Sequence, residues 1–585
     1  MNPHPGVALG PWSGPVDAVR DTGPSAAATV LGLGGSNHDF SAAIVAGGRI
    51  KVAIEDERVQ RIKNAETAWH AHPARDAANY CLSAAGVRLD ELDGVFCCDD
   101  LERPTDWLDW SSVQFVNHHT AHAAASFFAS PHDRATLLVV DGHGSALSES
   151  GTGYEVETIS IGSAEGATLT VSTLQSGVQK KTSSQWRYVT QHSIGWLYEI
   201  VTMALGFGDS GQGKTMGLAA YGTPAYVDAL SQFVEVGSDG RFWFDPYEGI
   251  SDWLTTTLAS RSNAMQVRAD IAYAAQEIFV DAIVAAAREA HRQAPSPVLA
   301  FGGGCALNTL ANSRILEDTA FEQLAVFPAS GDNGLAVGAA FYGCHVVLGH
   351  SRPAQAAGWR GRAVYTGRAY TDEEVDAVLA GASVSSSRPQ DLAREAAQAL
   401  CDGETVAVCR GRSEIGPRAL GNRSLLALPR TARMRDHINL NIKERESFRP
   451  LAPVVRLEDV DTYFEGIEES PYMLLVATVR EQVREHLGAV THVDGTARVQ
   501  TVRAEDNPFL HRLLGLVGEF SGVPVILNTS LNLRGEPIVE TPADAINLFI
   551  QRPVDVLVLG DRLVRKYSPW VAPSALAGSL PGAGA

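Results

Sequence analysis

The stretch ATVLGLGGSNHDFSAAIVAGGRIKVAIEDE, residues 28–57, reads as an apolar strand, a glycine-rich turn that ends in polar residues, and two further strands around Gly47-Gly48. The stretch ATLLVVDGHGSALSESGTGYEVETISIG, residues 135–162, repeats this design, with a strand at 137–140 and a glycine turn at 141–144. The chain therefore carries the same strand, turn and hairpin twice. Two such turns can hold the phosphates of a ligand from opposite sides through backbone N–H groups.

A third glycine-rich turn supports the same interpretation. Residues 297–301 form a short apolar strand, Gly302, Gly303 and Gly304 follow it, and a helix is predicted to begin near Leu307. Glycines between a strand and a helix let a nucleotide approach the backbone closely. The three turns predict an α/β fold with a duplicated actin-like (ASKHA-type) N-terminal domain.

Length and local composition predict more than one domain. A chain of 585 residues is too long for a single hydrophobic core, and SRPAQAAGWRGR at 351–362 lacks helix or strand periodicity. We therefore expect a flexible leader at 1–25, the actin-like domain at 26–360, a second α/β domain at 366–550, and a tail at 551–585 that could pack back on the N-terminal domain.

The overall composition disfavours several classes of partner. The chain has 67 acidic and 47 basic residues, a formal net charge of −20, which opposes binding to nucleic acids and anionic membranes. Its seven cysteines are scattered without a CxxC pair, as in a reducing compartment, and no apolar run approaches the roughly 18 residues of a membrane helix. These features predict a cytoplasmic protein without nucleic-acid or membrane partners.

A metal site is suggested by histidines four residues apart. His118 and His122 lie in a good helix-forming sequence, so both imidazoles should project from one face. Asp141 and Asp332 follow apolar strands, at the strand ends where ligands gather. Two His and two Asp suit Fe, Mn or Zn better than a soft metal. Ordinary surface or core histidines remain the alternative for the HxxxH pair alone.

Two further motifs have competing interpretations. Residues 208–215 (GDSGQGKT) match the P-loop pattern, but residues 193–205 before them look helical, and the glycines and proline of MGLAAYGTP leave little room for a helix after them. A backbone-rich loop with a lysine near a nucleotide is the better interpretation. His38, in the first glycine turn, is either a turn histidine capped by Asp39 or a general base.

The C-terminal half contains a basic segment. Residues 410–449 hold ten basic and four acidic residues, a charge of +6 in a chain of −20. Interleaved glycine, proline and apolar residues favour partly buried arginines over a solvated basic face, and buried arginines commonly pair with phosphate. Because Phe448 is the only aromatic residue there, a small phosphate-bearing substrate is favoured over RNA. After the apolar run VPVILN, residues 528–532 add a row of hydrogen-bonding side chains.

Together these motifs resemble the ATP-dependent O-carbamoyltransferase family, which includes nodulation and antibiotic carbamoyltransferases. The matching segments run in order over about residues 30–545, nearly the whole chain, and are SNHDFSAAIV, HHTAHAAASFF, LLVVDGHGS, GKTMGLAAYG, FGGGCALN, FPASGDNGLAVGAA, GPRALGNRS, NIKERESFRPLAP and LNTSLNLRGEPIVETPADA.

The resemblance implies a fold and a two-step reaction. It joins an actin-like domain, similar to the universal tRNA threonylcarbamoyl-transfer proteins, to a YrdC-like C-terminal domain. The YrdC-like domain would hydrolyse carbamoyl phosphate and adenylate the carbamate with ATP and Mg. A hydroxyl of a secondary metabolite, an antibiotic or a sugar-containing natural product, would then attack the carbamoyl adenylate in the actin-like domain.

The resemblance also implies residue roles. His118, His122, Asp141 and Asp332 would bind Fe(II) or another divalent metal, and His38 would be the base for the acceptor hydroxyl. The adenylate pocket would be lined by Lys63, Asp141, Gly142, His143, Gly213, Lys214, Gly304 and Asn308. Carbamoyl phosphate and ATP would be bound by Arg418, Lys443, Arg449, Arg498, Asn528 and Ser530, of which the first three would be catalytic. Gln212 departs from the acid of many relatives, and the leader is longer than typical.

Two other functions are less well supported. A tRNA-modifying or maturation factor could use the same adenylate chemistry, but the acidic charge opposes tRNA binding and no zinc-finger cysteines accompany the C-terminal domain. A non-catalytic, ATP-regulated scaffold would leave the metal ligands and arginines without a role. The sequence does not identify the acceptor, and it leaves the oligomeric state open, with a homodimer as one alternative.

Overall fold

The computed structural model describes residues 28–36, 38–64, 74–101, 107–150, 153–181, 188–208, 210–244, 247–259, 264–353 and 364–567. The predicted leader at 1–25, most of the predicted boundary at 351–362 and the last part of the predicted tail lie outside these residues.

The first glycine-turn repeat forms a five-stranded sheet. Its strands are β1 (Thr29–Gly34), β2 (Ser41–Ala46), β3 (Arg49–Glu55), β4 (Gly94–Cys98) and β5 (Val113–Val116). The order is β3-β2-β1-β4-β5, with β2 antiparallel to both of its neighbours and β4 and β5 parallel to β1. The central β1 is apolar and almost entirely buried, as expected for a strand covered on both faces.

The second repeat forms a sheet of the same design. Its strands are β6 (Arg134–Val140), β7 (Ala146–Ser150), β8 (Gly153–Glu165), β9 (Thr168–Lys181), β10 (Tyr188–Thr190), β13 (Val298–Gly302) and β14 (Gln323–Val326). Between β10 and β13 the chain forms a separate hairpin of β11 (Val234–Val236) and β12 (Phe242–Phe244). The order β9-β8-β6-β13-β14 repeats that of the first sheet strand for strand, including the antiparallel second strand. The predicted duplication is confirmed.

Ten helices are described in this N-terminal domain. They are α1 (Asp56–Gln60), α2 (Arg75–Ala85), α3 (His118–Phe128), α4 (Ile194–Ala204), α5 (Gln212–Ala219), α6 (Val227–Ser231), α7 (Tyr247–Leu258), α8 (Ala264–Gln293), α9 (Thr309–Asp318) and α10 (Leu335–Tyr342).

Two of these helices occupy equivalent places in the repeats. α3 follows the fifth strand of the first sheet, and α10 follows the fifth strand of the second. They pack on each other so closely that a Cβ atom on Gly338 would lie 1.9 Å from the carbonyl oxygen of Ala121. Gly32 of β1 touches α10 in the same way, since its Cβ would lie 1.9 Å from the Ala336 carbonyl oxygen. The small residues thus bring the histidine-bearing helix to the centre of the domain.

The C-terminal domain is built on an eight-stranded mixed sheet. Its strands, in spatial order, are β15 (Val384–Ser387), β25 (Arg562–Lys566), β24 (Val556–Leu559), β16 (Val406–Cys409), β17 (Arg423–Ala427), β23 (Val525–Ser530), β18 (Ala452–Arg456) and β22 (Gln500–Val502). The predicted domain end at 550 is therefore wrong. β24 pairs with β16 inside this sheet, so the first part of the predicted tail belongs to the C-terminal core.

Shorter elements complete this domain. A three-stranded sheet has the order β19 (Phe464–Glu465), β20 (Val476–Val479), β21 (Thr496–Arg498). The helices are α11 (Asp372–Ala380), α12 (Leu392–Cys401), α13 (Ala432–Asp436), α14 (Val460–Tyr463), α15 (Pro508–Ser521) and α16 (Pro542–Gln551). Apolar clusters cover both faces of the eight-stranded sheet.

A buried ion pair ties the two domains together. Arg58 is 3.1 Å from Glu55 and donates hydrogen bonds to the carbonyl oxygens of Glu414 (2.5 Å) and Gly416 (2.6 Å) across the interface. Gly416 adopts a φ of 98° and lies against the Pro328 carbonyl, where a side chain would collide. Removing one partner of such a buried pair typically costs about 3–5 kcal/mol. The loops that carry the predicted ligands of the two domains are therefore held in direct contact.

The segment that matches the P-loop pattern differs from expectation in one respect. The nearest described element before it is a helix, because residues Ile194–Ala204 form α4 as predicted. However, α5 runs from Gln212 to Ala219, so the sequence after Thr215 does continue a helix despite Gly217. The glycine is tolerated because α5 packs closely on the C-terminal domain at this position. A Cβ atom on Gly217 would lie 3.1 Å from the side chain of Pro450.

Candidate metal centre and cationic pocket

The four residues predicted as metal ligands converge. α3 begins at His118 because the Asn117 side chain accepts the backbone N–H of Thr120 and caps the helix. One turn separates His118 from His122, whose Nε2 atoms are 3.1 Å apart. Asp141 directly follows β6, and Asp332 lies between β14 and α10. One ligand atom from each of these four residues lies within 4.8 Å of all the others.

The chemistry of this cluster, the tetrad of His118, His122, Asp141 and Asp332, fits a divalent cation. Nε2 of His122 is 3.0 Å from Asp141, and Nε2 of His118 is 3.5 Å from Asp332. Burial acts to raise the pKa of Asp141, but the adjacent imidazoles of His118 and His122 hold it well below its usual range. The site thus offers two carboxylates and two imidazole nitrogens, a donor set that suits Fe(II), Mn(II) or Zn(II).

A carboxylate outside the tetrad supports one of its histidines. Asp100, in the turn after β4, places Oδ2 2.8 Å from Nδ1 of His118. This is the arrangement in which a second carboxylate fixes the tautomer and orientation of a metal-binding imidazole. Sequence reasoning did not select Asp100, although its place after an apolar strand is the same signal that selected Asp141.

Replacing Asp100 with Asn should weaken metal binding without removing it. The loss of the carboxylate beside His118 should lower the affinity for Zn(II) or Fe(II) by about 10–100-fold. Competition with a chromophoric chelator would measure this, with Asp109→Asn, an exposed carboxylate on the following segment, as the control. Equal affinities in Asp100→Asn and the unchanged protein would show that Asp100 does not orient His118.

Two of the glycine turns lie beside the tetrad. The backbone N–H groups of Gly142 and Gly304 donate to the two oxygens of Asp141 at 2.7 and 3.0 Å. The His143 ring lies 6.5 Å from that of His118. These residues come from β6 and β13, neighbouring parallel strands whose ends meet.

His38 lies at the mouth of the same site, with about half of its side chain exposed. Its Nδ1 is 3.0 Å from Asp39. Burial alone would lower the pKa of His38, but the hydrogen bond to Asp39 and the charges of Asp39, Asp332 and Asp141 raise it to about 9. Two of these carboxylates, Asp332 and Asp141, belong to the tetrad, so a bound cation would offset their part of the increase.

Four other predicted adenylate residues have different surroundings. Lys63 pairs with Glu57 at 2.7 Å. Asn308 exchanges hydrogen bonds with Gln276 and caps α9, so its side chain is occupied. Gly213 and Lys214 lie on α5, which faces the C-terminal domain, and Lys214 donates to the Phe207 carbonyl at 3.1 Å. Gln212, at the start of α5, donates to Glu199.

The second site is a group of cations in the C-terminal domain, here called the cationic pocket. It consists of Arg418, Lys443, Arg445, Arg449 and Arg498. Lys443 follows a π-helical turn (His437–Ile442) and donates to Ser530 and Asn532. Among the described residues, the buried Nε atoms of Arg418 and Arg498 have no hydrogen-bond partner.

The charges of this pocket repel one another. Burial and the neighbouring Arg449 lower the pKa of Arg418 to about 10, and burial with Arg449 and Arg418 lowers that of Arg445 to about 9. Burial and three neighbouring arginines lower the pKa of Arg498 well below its usual range. Glu446, 3.8 Å from Arg449, offsets part of this charge. Burial of cations without matching acids is costly, so the pocket is built to receive an anion.

The other predicted residues of this domain frame the pocket. Ser530 accepts from Lys443 at 3.0 Å. Asn528 is buried and donates to the Ala419 carbonyl and to Gln500, which fixes the loop that carries Arg418. Arg445 was not selected from the sequence, although it stands in the quoted NIKERESFRPLAP segment two residues after Lys443.

The fold and its two sites define a two-centre α/β protein, with one centre suited to a divalent metal and the other to an anion. Family models described as carbamoyltransferase N-terminus and carbamoyltransferase C-terminus match residues 101–341 and 397–566. Nodulation protein NolNO of Sinorhizobium fredii is 34% identical over 93% of this chain and 81% of its own length. A 3'-hydroxymethylcephem-O-carbamoyltransferase of Amycolatopsis lactamdurans is 37% identical over 60% of this chain and 64% of its own. The chain belongs to the carbamoyltransferase family.

Comparison with solved structures gives weaker likenesses. Full-length HypF in a phosphate- and nucleotide-bound form has 14% identity, covers 56% of each chain and gives a TM-score of 0.35, which is too low to define a shared fold. The duplication therefore rests on the strand order of the two sheets. None of the helices described in this structure combines the length and apolarity needed to cross a membrane.

Proposed function

We propose that the protein is an O-carbamoyltransferase that uses carbamoyl phosphate and ATP to carbamoylate a hydroxyl of a secondary metabolite. The observation that carries this proposal is the presence, in one member of the carbamoyltransferase family, of a metal-type tetrad and of a cationic pocket in which two buried arginine Nε atoms have no hydrogen-bond partner among the described residues. The tetrad is suited to the transfer of the carbamoyl group, and the cationic pocket is suited to the binding of phosphates.

The cationic pocket of the C-terminal domain, proposed to be YrdC-like, would form carbamoyl adenylate. Water cleaves carbamoyl phosphate into carbamate and phosphate. A carbamate oxygen then attacks the α-phosphorus of MgATP, and pyrophosphate leaves. Arg418, Arg449 and Arg498 would bind the phosphates, and Lys443, held by Ser530 and Asn532, would neutralise charge at the reacting groups. Enclosure protects carbamate and its adenylate from water.

The N-terminal domain would complete the transfer. The acceptor oxygen attacks the carbamoyl carbon, its proton passes to His38, and AMP leaves with the bonding electrons. The N–H groups of Gly142 and Gly304 donate to Asp141 and so orient this carboxylate of the tetrad. The tetrad would hold the metal, with Fe(II) as our preferred ion. When bound, such an ion withdraws charge from phosphate oxygens and makes AMP a better leaving group.

Replacing His38 with Asn should separate the two steps. Carbamoyl phosphate-dependent release of pyrophosphate should continue, while acceptor carbamoylation should fall by about 100-fold or more because the base is lost. Mass spectrometry of mixtures with a panel of hydroxylated metabolites would follow the gain of one carbamoyl group. If carbamoylation persists at the original rate, His38 is not the base.

We also propose a small-molecule acceptor and a cytoplasmic location. The described cysteines are free, as in a reducing compartment. The alternative of a tRNA-modifying or maturation factor is less favoured, because the cationic residues are gathered in a half-buried pocket rather than spread over a face that RNA could contact. Electrophoretic retardation of tRNA by the purified protein would support that alternative.

A further inference from the structure

Glu55 lies between the two sites, at the junction of β3 and α1. It occupies the N-cap position of α1, which is an unusual place for a glutamate, and its side chain does not cap that helix. The side chain is buried instead and makes its contacts with other elements. Burial of a carboxylate is costly unless the group is paired, so these contacts are expected to matter for the structure.

One oxygen of Glu55 holds the loop that carries Arg418 of the cationic pocket. Its Oε1 accepts the backbone N–H of Gly416 at 2.6 Å. Only Pro417 separates Gly416 from Arg418, and the proline ring fixes the φ angle of that intervening residue. The position of Gly416 therefore largely determines where the side chain of Arg418 begins.

Hydrogen bonds within this loop make it a single unit. The buried Glu414 accepts three backbone N–H groups on its Oε1 atom at 2.7–3.3 Å, those of Leu420, Asn422 and Arg423. These bonds close residues 414–423 on themselves, so that the two ends of the loop move together. A shift at Gly416 is therefore passed on to Arg418, whose buried Nε has no hydrogen-bond partner among the described residues.

The same oxygen of Glu55 also faces the turn that carries Asp332 of the metal tetrad. Nδ2 of Asn333 lies 3.5 Å from Oε1 of Glu55, at the outer limit of a hydrogen bond. Asn333 and Asp332 share one 3-10 turn, and Ser36 donates to Oδ2 of Asp332 at 2.5 Å. One oxygen atom of Glu55 thus contacts the neighbour of a tetrad ligand and the loop of a pocket cation.

This arrangement should make the occupation of one site felt at the other. When a cation is bound, Asp332 is held as its ligand, so the turn that it shares with Asn333 is restrained. Glu55 then has less freedom, and so has the loop that it holds through Gly416. An anion that enters a pocket already ordered loses less conformational entropy and is bound more tightly.

We propose that Glu55 is a positioning residue that couples the metal tetrad to the cationic pocket, so that each bound ion raises the affinity for the other. This inference rests on the proposed occupants of the two sites and not on the reaction between them. The coupling would restrict tight binding of phosphates to protein whose transfer site already contains its metal.

The test measures the binding of Mn(II) and of sulfate, a tetrahedral anion that stands for phosphate, by calorimetry on the full-length protein. Loading with Mn(II) should raise the affinity for sulfate by at least about fivefold, and sulfate should raise the affinity for Mn(II) by the same factor. Glu55→Gln and Asn333→Ala should each reduce this factor to less than about twofold. Asn333→Ala should leave the affinity for each ion alone unchanged, which a general disruption of the fold would not do.

Asn547→Ala, at an exposed position of α16, is the matched control and should keep the full coupling factor. Equal affinities for sulfate with and without Mn(II) in the unchanged protein would overturn the coupling. A full factor in both Glu55→Gln and Asn333→Ala would overturn the role of Glu55, since the charges of the ions alone would then account for the effect. Coupled binding of sulfate that persists in Arg498→Met would overturn the proposal too, because the anion would lie outside the cationic pocket. None of these results would remove the proposed function, which pyrophosphate release tests separately.

Discussion

A His122→Ala variant should lose its metal and its acceptor carbamoylation together, while it continues to release pyrophosphate from ATP and carbamoyl phosphate. Nε2 of His122 is 3.0 Å from Asp141 and 3.1 Å from Nε2 of His118, so its removal opens the tetrad at its centre. The metal affinity should fall by more than the roughly 10–100-fold that is typical when a residue that only supports a metal ligand is replaced. Elemental analysis and the two activity assays would measure the three quantities.

Thr120→Ala, on the same helix between the two histidines, is the control and should retain its metal. The two-centre account would be contradicted if His122→Ala kept a full complement of metal. It would also be contradicted if His122→Ala lost pyrophosphate release together with its metal while its unfolding temperature stayed the same as that of the unchanged protein. The tetrad would then serve the first step as well.

An Arg498→Met variant should be inactive in the first step and yet more stable than the unchanged protein in the absence of anions. Among the described residues, Nε of Arg498 is buried without a hydrogen-bond partner and faces three further arginines. Replacing it with an apolar side chain removes this repulsion and should raise the free energy of unfolding by about 1–3 kcal/mol. Pyrophosphate release should fall by about 100-fold or more, because binding of the phosphates depends on this group.

Chemical denaturation with and without phosphate would test the stability effect, since phosphate should stabilise the unchanged protein and have little effect on Arg498→Met. Arg433→Met, at an exposed position of α13, is the control and should alter neither quantity. Arg449→Ala should also stop pyrophosphate release. Undiminished release from both Arg498→Met and Arg449→Ala would remove the cationic pocket from the reaction.

The sequence predicted the N-terminal fold well because its signals are local. The glycine turns at 34–36 and 141–144 each follow an apolar strand, and the structure places them at equivalent points of two sheets with the same strand order. The metal tetrad was predictable for a similar reason. Helical spacing places His118 beside His122, and the ends of the parallel strands β6 and β14 bring Asp141 and Asp332 to the same edge of the second sheet.

Long-range packing explains what the sequence did not predict. The end of the C-terminal domain was placed too early because β24 returns to pair with β16 across about 150 residues, a contact that no local pattern reveals. α5 was missed because the cost of Gly217 in a helix is offset by its packing against Pro450. Asp100 acquires its role only through its contact with His118, which the sequence does not reveal. Arg445 stands in a run of charged residues, and only the fold shows that it is buried beside Arg449 and Arg418.

Oxygen-18 transfer would test the central claim most directly, because the account requires a covalent bond between a carbamate oxygen and the α-phosphorus of ATP. The full-length, iron-loaded protein would receive ATP, the panel of hydroxylated acceptors, and carbamoyl phosphate labelled with oxygen-18 in its carbonyl group, and the AMP would be examined by mass spectrometry. We predict that part of the label appears in AMP, since either of the two equivalent carbamate oxygens can form the bond. AMP that carries no label, or no AMP at all, would contradict the account.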